Sequence, residues 1–356
     1  ILLRYLILIL VKDIFFINNK INLKKLLIFS LICTSFVSLD VIFQYFSGFD
    51  IFGYEGVEDR NSGPFGDEHI AGSYLQRFSF LSILSIFAFD KNLKYKNLFI
   101  FFIIVLHAFA ILVCGNRMPM ILFLFGCFLL FIFMKNLRVV LCLSIIVFLT
   151  MFMTLAKNEN GLYSTYFTFF KEINIIKYLK KTDGIVPEGM EMTKNPPIVL
   201  DKFETFKEIK PFLDNTGHGS IYRTSIFMWK EKPIFGQGLK SFRIKCWEIL
   251  SRTNDKKLSC ATHSHNYYFE LLAETGVLGV GIIIVFFILI LKNSFFYLKE
   301  YYRTKNNEIY ILIPIIILFI IEIWPLKSSG SFFTTWNATF LWLYIPLLIS
   351  SKKKLI

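Results

Sequence analysis

Two histidines stand one residue apart, His263 and His265, in the run THSHNYYFELLAETG. Four arginines are candidates to work with them: Arg60 in RNSGPFGDEHIAGSYL, Arg77 one to two turns into the next apolar run, Arg117 in GNRMP, and Arg223 in RTSIFMWKEKPIFGQG. A neutral imidazole takes up a proton near neutral pH. Several guanidinium groups converging on one pocket suit a phosphate, because the planar fork makes bidentate, charge-assisted bonds. Together they describe proton abstraction beside a phosphorylated ligand. Each residue also has a plainer use. Arg60 can pair with Asp59, Asp67 or Glu68 in a solvated loop, and Arg77 can tie one helix to another. Arg117 can anchor at an interface with its charge reaching outward, and Arg223 can lie on the surface of an amphipathic helix. HSH has the look of a metal pair, but no third or fourth ligand stands at the usual spacing, so neither metal nor cofactor is expected. Asn266 is placed to cap the helix that follows. Pro233, Gly236 and Gly238 spell a turn that lets backbone approach something closely. Gly276, Gly279 and Gly281 suit helix packing.

The elements that must position these residues are apolar helices. Of the 356 residues, 55% are hydrophobic, and the 42 Phe and 16 Tyr are spread along the whole chain. The mean hydropathy of +0.56 is more than a soluble α/β enzyme can bury. A net charge of +13 would suit nucleic acid if it gathered on one soluble domain; here the basic residues sit in short loops between apolar runs, so the expected partner is a lipid bilayer and not nucleic acid. Spans are expected at 26–46, 71–89, 97–114, 118–134, 138–155, 266–291, 308–324 and 335–350, each near the ~20 residues that cross a bilayer. The fold class is therefore an all-α polytopic membrane protein with about eight or nine transmembrane helices. The opening ILLRYLILILV begins at Ile1 and is about half a span, which predicts that earlier helices precede it.

Charge sets the expected orientation. Lys20, Lys24 and Lys25 precede the first full span; Lys91, Lys94 and Lys96 follow the second, and Lys135 and Arg138 the fourth. Lys292, Lys299, Arg303 and Lys305 follow the sixth, and Lys352, Lys353 and Lys354 come last. Every second loop is basic, hence cytoplasmic. The alternate loops carry Asp50, Glu55, Glu58, Asp59, Asp67 and Glu68 against Arg60, or the GNR turn, or Lys327 alone, and are exterior. All the candidate arginines and histidines then lie at one face of the membrane, where charged groups are costly and mark function.

Three parts follow: N-terminal membrane helices over 1–155, a large periplasmic loop module over 156–265, and C-terminal membrane helices over 266–356, with the C-terminus cytoplasmic. The module has helix-like pieces near 199–213 and 219–231, broken by Pro211 and closed by Pro233. Cys246 and Cys260 share it. In an oxidising compartment a disulfide between them would close a short loop; the alternative is two free thiols.

The run His263-Ser264-His265-Asn266-Tyr267-Tyr268 followed by Glu274-Thr275-Gly276 resembles the HxHN-x-Y…E-x-G signature of the O-antigen ligase/polymerase superfamily. Arg223, Trp229, Pro233, Gly236 and Gly238 resemble that family's R…W…P-x-x-G-x-G loop. Asp40, Gln44, Tyr45 and Gly48, with the stretch from Arg60 to Glu68, look like its first exterior arginine region, and Arg117 is similar to the arginine at its next exterior turn. The resemblance spans about 40–280. It implies an inner-membrane glycosyltransferase that takes a glycan from undecaprenyl diphosphate without nucleotide sugar, metal or other cofactor, and either polymerises glycan repeats or ligates the chain to a glycan or lipid A-core acceptor. Carried over, Arg60, Arg117 and Arg223, with Arg77 as a further candidate, would bind the diphosphate; His265 would take the acceptor's proton and His263 would orient it. A transporter or flippase for the same lipid-linked glycan is the competing expectation, and a non-catalytic membrane scaffold a third.

Overall fold

The computed structural model describes residues 23–56, 60–88, 95–158, 166, 218–253, 255, 257–304 and 309–350. The opening half-span, the expected piece at 199–213, Glu58, Asp59 and the topology lysines Lys20, Lys91, Lys94, Lys305, Lys352, Lys353 and Lys354 lie outside the described residues. The described chain is all-α: α1 (Leu23–Ser47), α2 (Ala71–Leu84), α3 (Lys96–Val113), α4 (Arg117–Phe133), α5 (Arg138–Asn158), α6 (Gly219–Glu231), α7 (Phe242–Thr253), α8 (Tyr267–Thr304), α9 (Ile309–Glu322) and α10 (Thr335–Ser350). An isolated extended bridge joins Phe49 and Glu55.

A helix falls on every expected span, but length divides them. Leu27–Ser47, Lys96–Val113, Lys135–Leu155 and Tyr267–Thr304 are long and apolar enough to cross a membrane, whereas Arg117–Phe133, Leu312–Glu322 and Asn337–Ile349 are shorter apolar helices. At 1.5 Å of rise per residue, α4, with 17 residues, reaches only about 25 Å. α2 stops at Leu84 and tightens into a 3-10 turn over Ser85–Ala88.

The surface of α1 is the reverse of a water-soluble helix. Phe29, Ile32, Phe36, Leu39, Phe43 and Phe46 recur every three or four residues, and are between 43% and 73% exposed. The opposite face buries Ser30, Thr34, Ser38, Asp40 and Gln44 among Val37 and Val41. An apolar stripe turned outward is stable against lipid and costly against water. Inside the bundle α1 packs on α2 and α3, α2 on α4 and α9, and α9 on α10. The His107 ring of α3 sits between Ser38 and Ser82, 2.8 Å from each hydroxyl, and joins α1, α2 and α3.

A second, smaller core lies beside the start of α8. Ile221 and Met228 of α6, Phe242, Cys246 and Ile249 of α7, and Ala273 of α8 close it. α8 is not continuous: Gly276 breaks it, with φ 66° and ψ −169°. This corrects the expectation that Gly276, Gly279 and Gly281 pack helices. A Cβ on Gly281 would meet nothing within 4 Å, and one on Gly279 would meet its own helix's Thr275 side chain. A Cβ on Gly276 would lie 2.3 Å from the Ile234 carbonyl oxygen, and one on Gly236 2.4 Å from the Glu274 carbonyl carbon. The loop from Pro233 to Gly238 therefore docks backbone to backbone on the break, with Gln237 and Gly238 N–H groups donating to the Ala273 and Glu274 carbonyls at 2.9 Å, and Val277 N–H to the Pro233 carbonyl at 2.9 Å. Only glycine permits both the positive φ and that approach.

Candidate active site

The start of α8 is built by Asn266. Its Oδ1 accepts the Tyr268 and Phe269 N–H groups at 2.9 and 3.2 Å, which caps the helix. Its Nδ2 donates to the carbonyls of Pro325 and Lys327 at 2.7 and 3.2 Å. Ser329 N–H donates to the His265 carbonyl at 2.8 Å. The turn carrying both histidines is thus pinned to the connection between α9 and α10, and His265 adopts φ 54° within it.

Three imidazoles meet there. His263 lies 4.2 Å from His265 between ring centroids, and His218, just before α6, stacks face to face on His265 at 4.4 Å and 14°. One turn further on, Tyr222 stacks on Phe269 at 4.7 Å and 18°, and the Tyr222 hydroxyl hydrogen-bonds Ser328. Burial, then the charges of His263 and His218, push the His265 imidazole down to about 4. His263 is lowered by burial and by the charges of His218 and Arg243, and His218 by burial. His265 consequently stays neutral at physiological pH, as a general base must. Among the described residues its ring nitrogens make no hydrogen bond, so proton-accepting capacity remains. Among the described residues no three His, Cys, Asp or Glu side chains form a metal-binding group.

The arginines occupy two corners of the same end of the bundle. Arg60 is exposed, on a loop held by the carboxylate and amide that the resemblance singled out. Asp40 Oδ1 accepts Ile51 N–H at 2.9 Å, and Gln44 Oε1 accepts Gly63 N–H at 2.8 Å. Asn61 then donates to the Val113 carbonyl at 2.7 Å, and Asn116 to the His69 carbonyl at 3.3 Å. Arg60 and Arg117, the half-buried first residue of α4, are thereby brought to one corner. Arg223 is half-buried on α6, next to Tyr222, and belongs to the corner of the histidines.

Arg77 departs from the diphosphate-binding expectation. It is buried in the bundle, where Nε lies 3.2 Å from Glu322 Oε2 and Nη2 lies 3.0 Å from Asn337 Oδ1, with the guanidinium 4.6 Å from the Phe340 ring centroid. Lys327 Nζ meets the same Glu322 at 2.7 Å, and the Tyr267 hydroxyl donates to it at 2.8 Å. Low dielectric makes a full set of partners obligatory for a buried charge, so Arg77 serves as a tie between α2, α9 and α10. Cys246 and Cys260 are neighbouring thiols, hydrogen-bonded to each other and not bridged. Burial raises both thiols, which favours their protonated form.

Residue-by-residue reasoning passed over His218 and Arg243. His218 had a signal: H-x-x-x-Y over 218–222 repeats the spacing of H-x-x-x-F over 265–269, and residues four apart share a helix face. Arg243 stands in the first turn of α7, where its charge reaches His263, Glu270 and Glu274. Glu274 caps that turn, accepting Lys240 and Phe242 N–H at 2.6 and 3.1 Å. Glu270 accepts Phe332 N–H at 2.6 Å.

No curated protein matches the chain. The sequence pattern of the O-antigen ligase family matches residues 100–284, more than half of the 356. That match takes in Arg117, Arg223, the glycine loop and both motif histidines, and with it the chain belongs to the O-antigen ligase family.

Proposed function

We propose that the protein is a membrane glycosyltransferase that moves a glycan from undecaprenyl diphosphate to a sugar hydroxyl at the periplasmic face of a bacterial inner membrane, acting as an O-antigen or surface-polysaccharide ligase or polymerase. The observation that carries the reading is the His265 ring, neutral and with hydrogen-bonding capacity in hand, on a capped turn to which the Arg223 helix is stacked. His265 accepts the proton of the acceptor hydroxyl as that oxygen attacks the anomeric carbon. The bond from that carbon to the diphosphate oxygen breaks, and undecaprenyl diphosphate departs with the electron pair. Arg60, Arg117 and Arg223 bind the diphosphate and stabilise its growing charge, and His263 orients the base. The leaving group is already good, so positioning and charge supply most of the acceleration. The donor is the lipid-linked glycan and the acceptor a glycan or lipid A-core. No cofactor takes part.

In this reading about eight or nine helices cross the bilayer, the segment 156–265 lies outside, and the C-terminus is cytoplasmic. A flippase would also use charged groups within the membrane. The buried Arg77, Lys327 and Glu322 are engaged with one another, which favours a fixed bundle over an alternating one.

The test is transfer from a defined undecaprenyl-diphosphate glycan by membranes carrying His265→Ala. Loss of product at unchanged protein level is expected; wild-type product would remove the catalytic assignment. In a deletion strain, one retained repeat on a glycan gel identifies a polymerase, and chains accumulating on the carrier lipid identify a ligase.

A further inference from the structure

We infer that His218 is a positioning residue for the transfer reaction: its ring, stacked on His265, fixes the plane of the base and holds the helix bearing Arg223 in register with it. The inference rests on His265 being the base.

The geometry is a two-rung ladder. His218 and Tyr222 are one helical turn apart, as are His265 and Phe269, and both rungs are face-to-face stacks, at 4.4 and 4.7 Å. A single stack can swivel about its normal; two stacks a turn apart cannot, so α6 is locked against the start of α8. Arg223 follows Tyr222 directly and inherits that placement. Parallel rings at 14° direct their in-plane nitrogen lone pairs and N–H bonds past each other, not at each other. His218 therefore does not relay a proton from His265. It acts through ring contact and through charge, since a protonated His218 opposes a proton on His265.

The charged and titratable groups on the surrounding elements are few. They are His263 on the same turn, Tyr222 and Arg223 on α6, Arg243 on α7, Glu270 on α8 and Lys327 on the connection after α9. Glu270 is engaged by Phe332 N–H and Lys327 by Glu322, and the charges that lower His265 are those of His263 and His218.

Two substitutions separate the ring from its charge. His218→Ala removes both and is expected to lower kcat by roughly 10- to 100-fold, with a smaller change in KM for the donor. His218→Phe keeps the stack and is expected to recover most of that loss. It also moves the acidic limb of the pH–rate profile upward, because His265 loses a repelling neighbour and protonates at higher pH. Transfer by intact membranes, normalised to the amount of folded protein in detergent, reads all three. If His218→Ala keeps the wild-type kcat and pH profile, or if His218→Phe leaves the limb where it was and recovers nothing, the inference is overturned. Should His218→Ala fail to accumulate, the limb of His218→Phe decides alone. His265→Ala run in parallel distinguishes the two claims: activity there removes the base itself, whereas an inactive His265→Ala beside silent His218 variants removes only the role of His218.

Discussion

His107 and His265 are both imidazoles withdrawn from water, and they sit in opposite kinds of surroundings. His107 lies in the bundle with a serine hydroxyl 2.8 Å from each ring nitrogen. His265 lies at the mouth of the bundle, where other rings cover its faces and, among the described residues, its nitrogens make no hydrogen bond. The arginines differ in burial. Arg77 is held by Glu322 and Asn337 in the interior, while Arg223 is half-buried on a helix docked at the mouth. The interior matches donors with acceptors because an unmatched polar group there is expensive. At the other end of the contrast, the His265 ring keeps the hydrogen-bonding capacity that the proposed base would use.

The largest test of that contrast is His265→Ala, expected to cut transfer by about 10²- to 10⁴-fold with the protein still inserted and monodisperse. Glu322→Ala strikes the interior instead. It leaves Arg77 and Lys327 buried without their counter-charge and is expected to destabilise by about 3–5 kcal/mol, seen as a lower Tm or lost accumulation in membranes. Arg223→Ala removes charge-assisted bonds to the donor and is expected to cost about 10- to 100-fold in kcat/KM, again with stability little changed. His107→Leu is expected to cost about 1–3 kcal/mol, because Ser38 and Ser82 lose their partner, while the transfer rate per folded molecule stays at the wild-type value. A drop in that rate would dissolve the division between interior and mouth.

The pH dependence sharpens the comparison further. The folded state lowers His265 to about 4 from an ordinary 6.5. The neutral form is therefore favoured by folding, and this contribution is complete above pH 6.5 and lost as pH falls towards 4. Initial rates should accordingly hold through pH 6 and decline only below it; a decline centred on pH 6.5 would show that His265 is not shielded as the ring cluster implies.

Much of the fold was legible because its causes are local. Apolar runs near bilayer length predict helices wherever they occur, and a helix lies on each expected span. The Asn266 cap depends on residues within three positions of it. Close backbone approach at Gly236 followed from its neighbours, but what it approaches, the break at Gly276, did not. Hydropathy also says how apolar a run is without saying where a helix turns, which is why the span expected over 71–89 ends as an α-helix at Leu84 and tightens into a 3-10 turn.

Composition, apolar periodicity and the ordered arginine and histidine motifs thus determined the membrane class, the helices and the family. The tertiary structure alone decided which charges satisfy one another and which rings stack. Arg77 meets Glu322 across 245 positions of sequence, and His218 reaches His265 only because α6 folds back on α8. Hydropathy and helical periodicity act between near neighbours, whereas an ion pair or a ring stack depends on the distance that packing sets between remote segments.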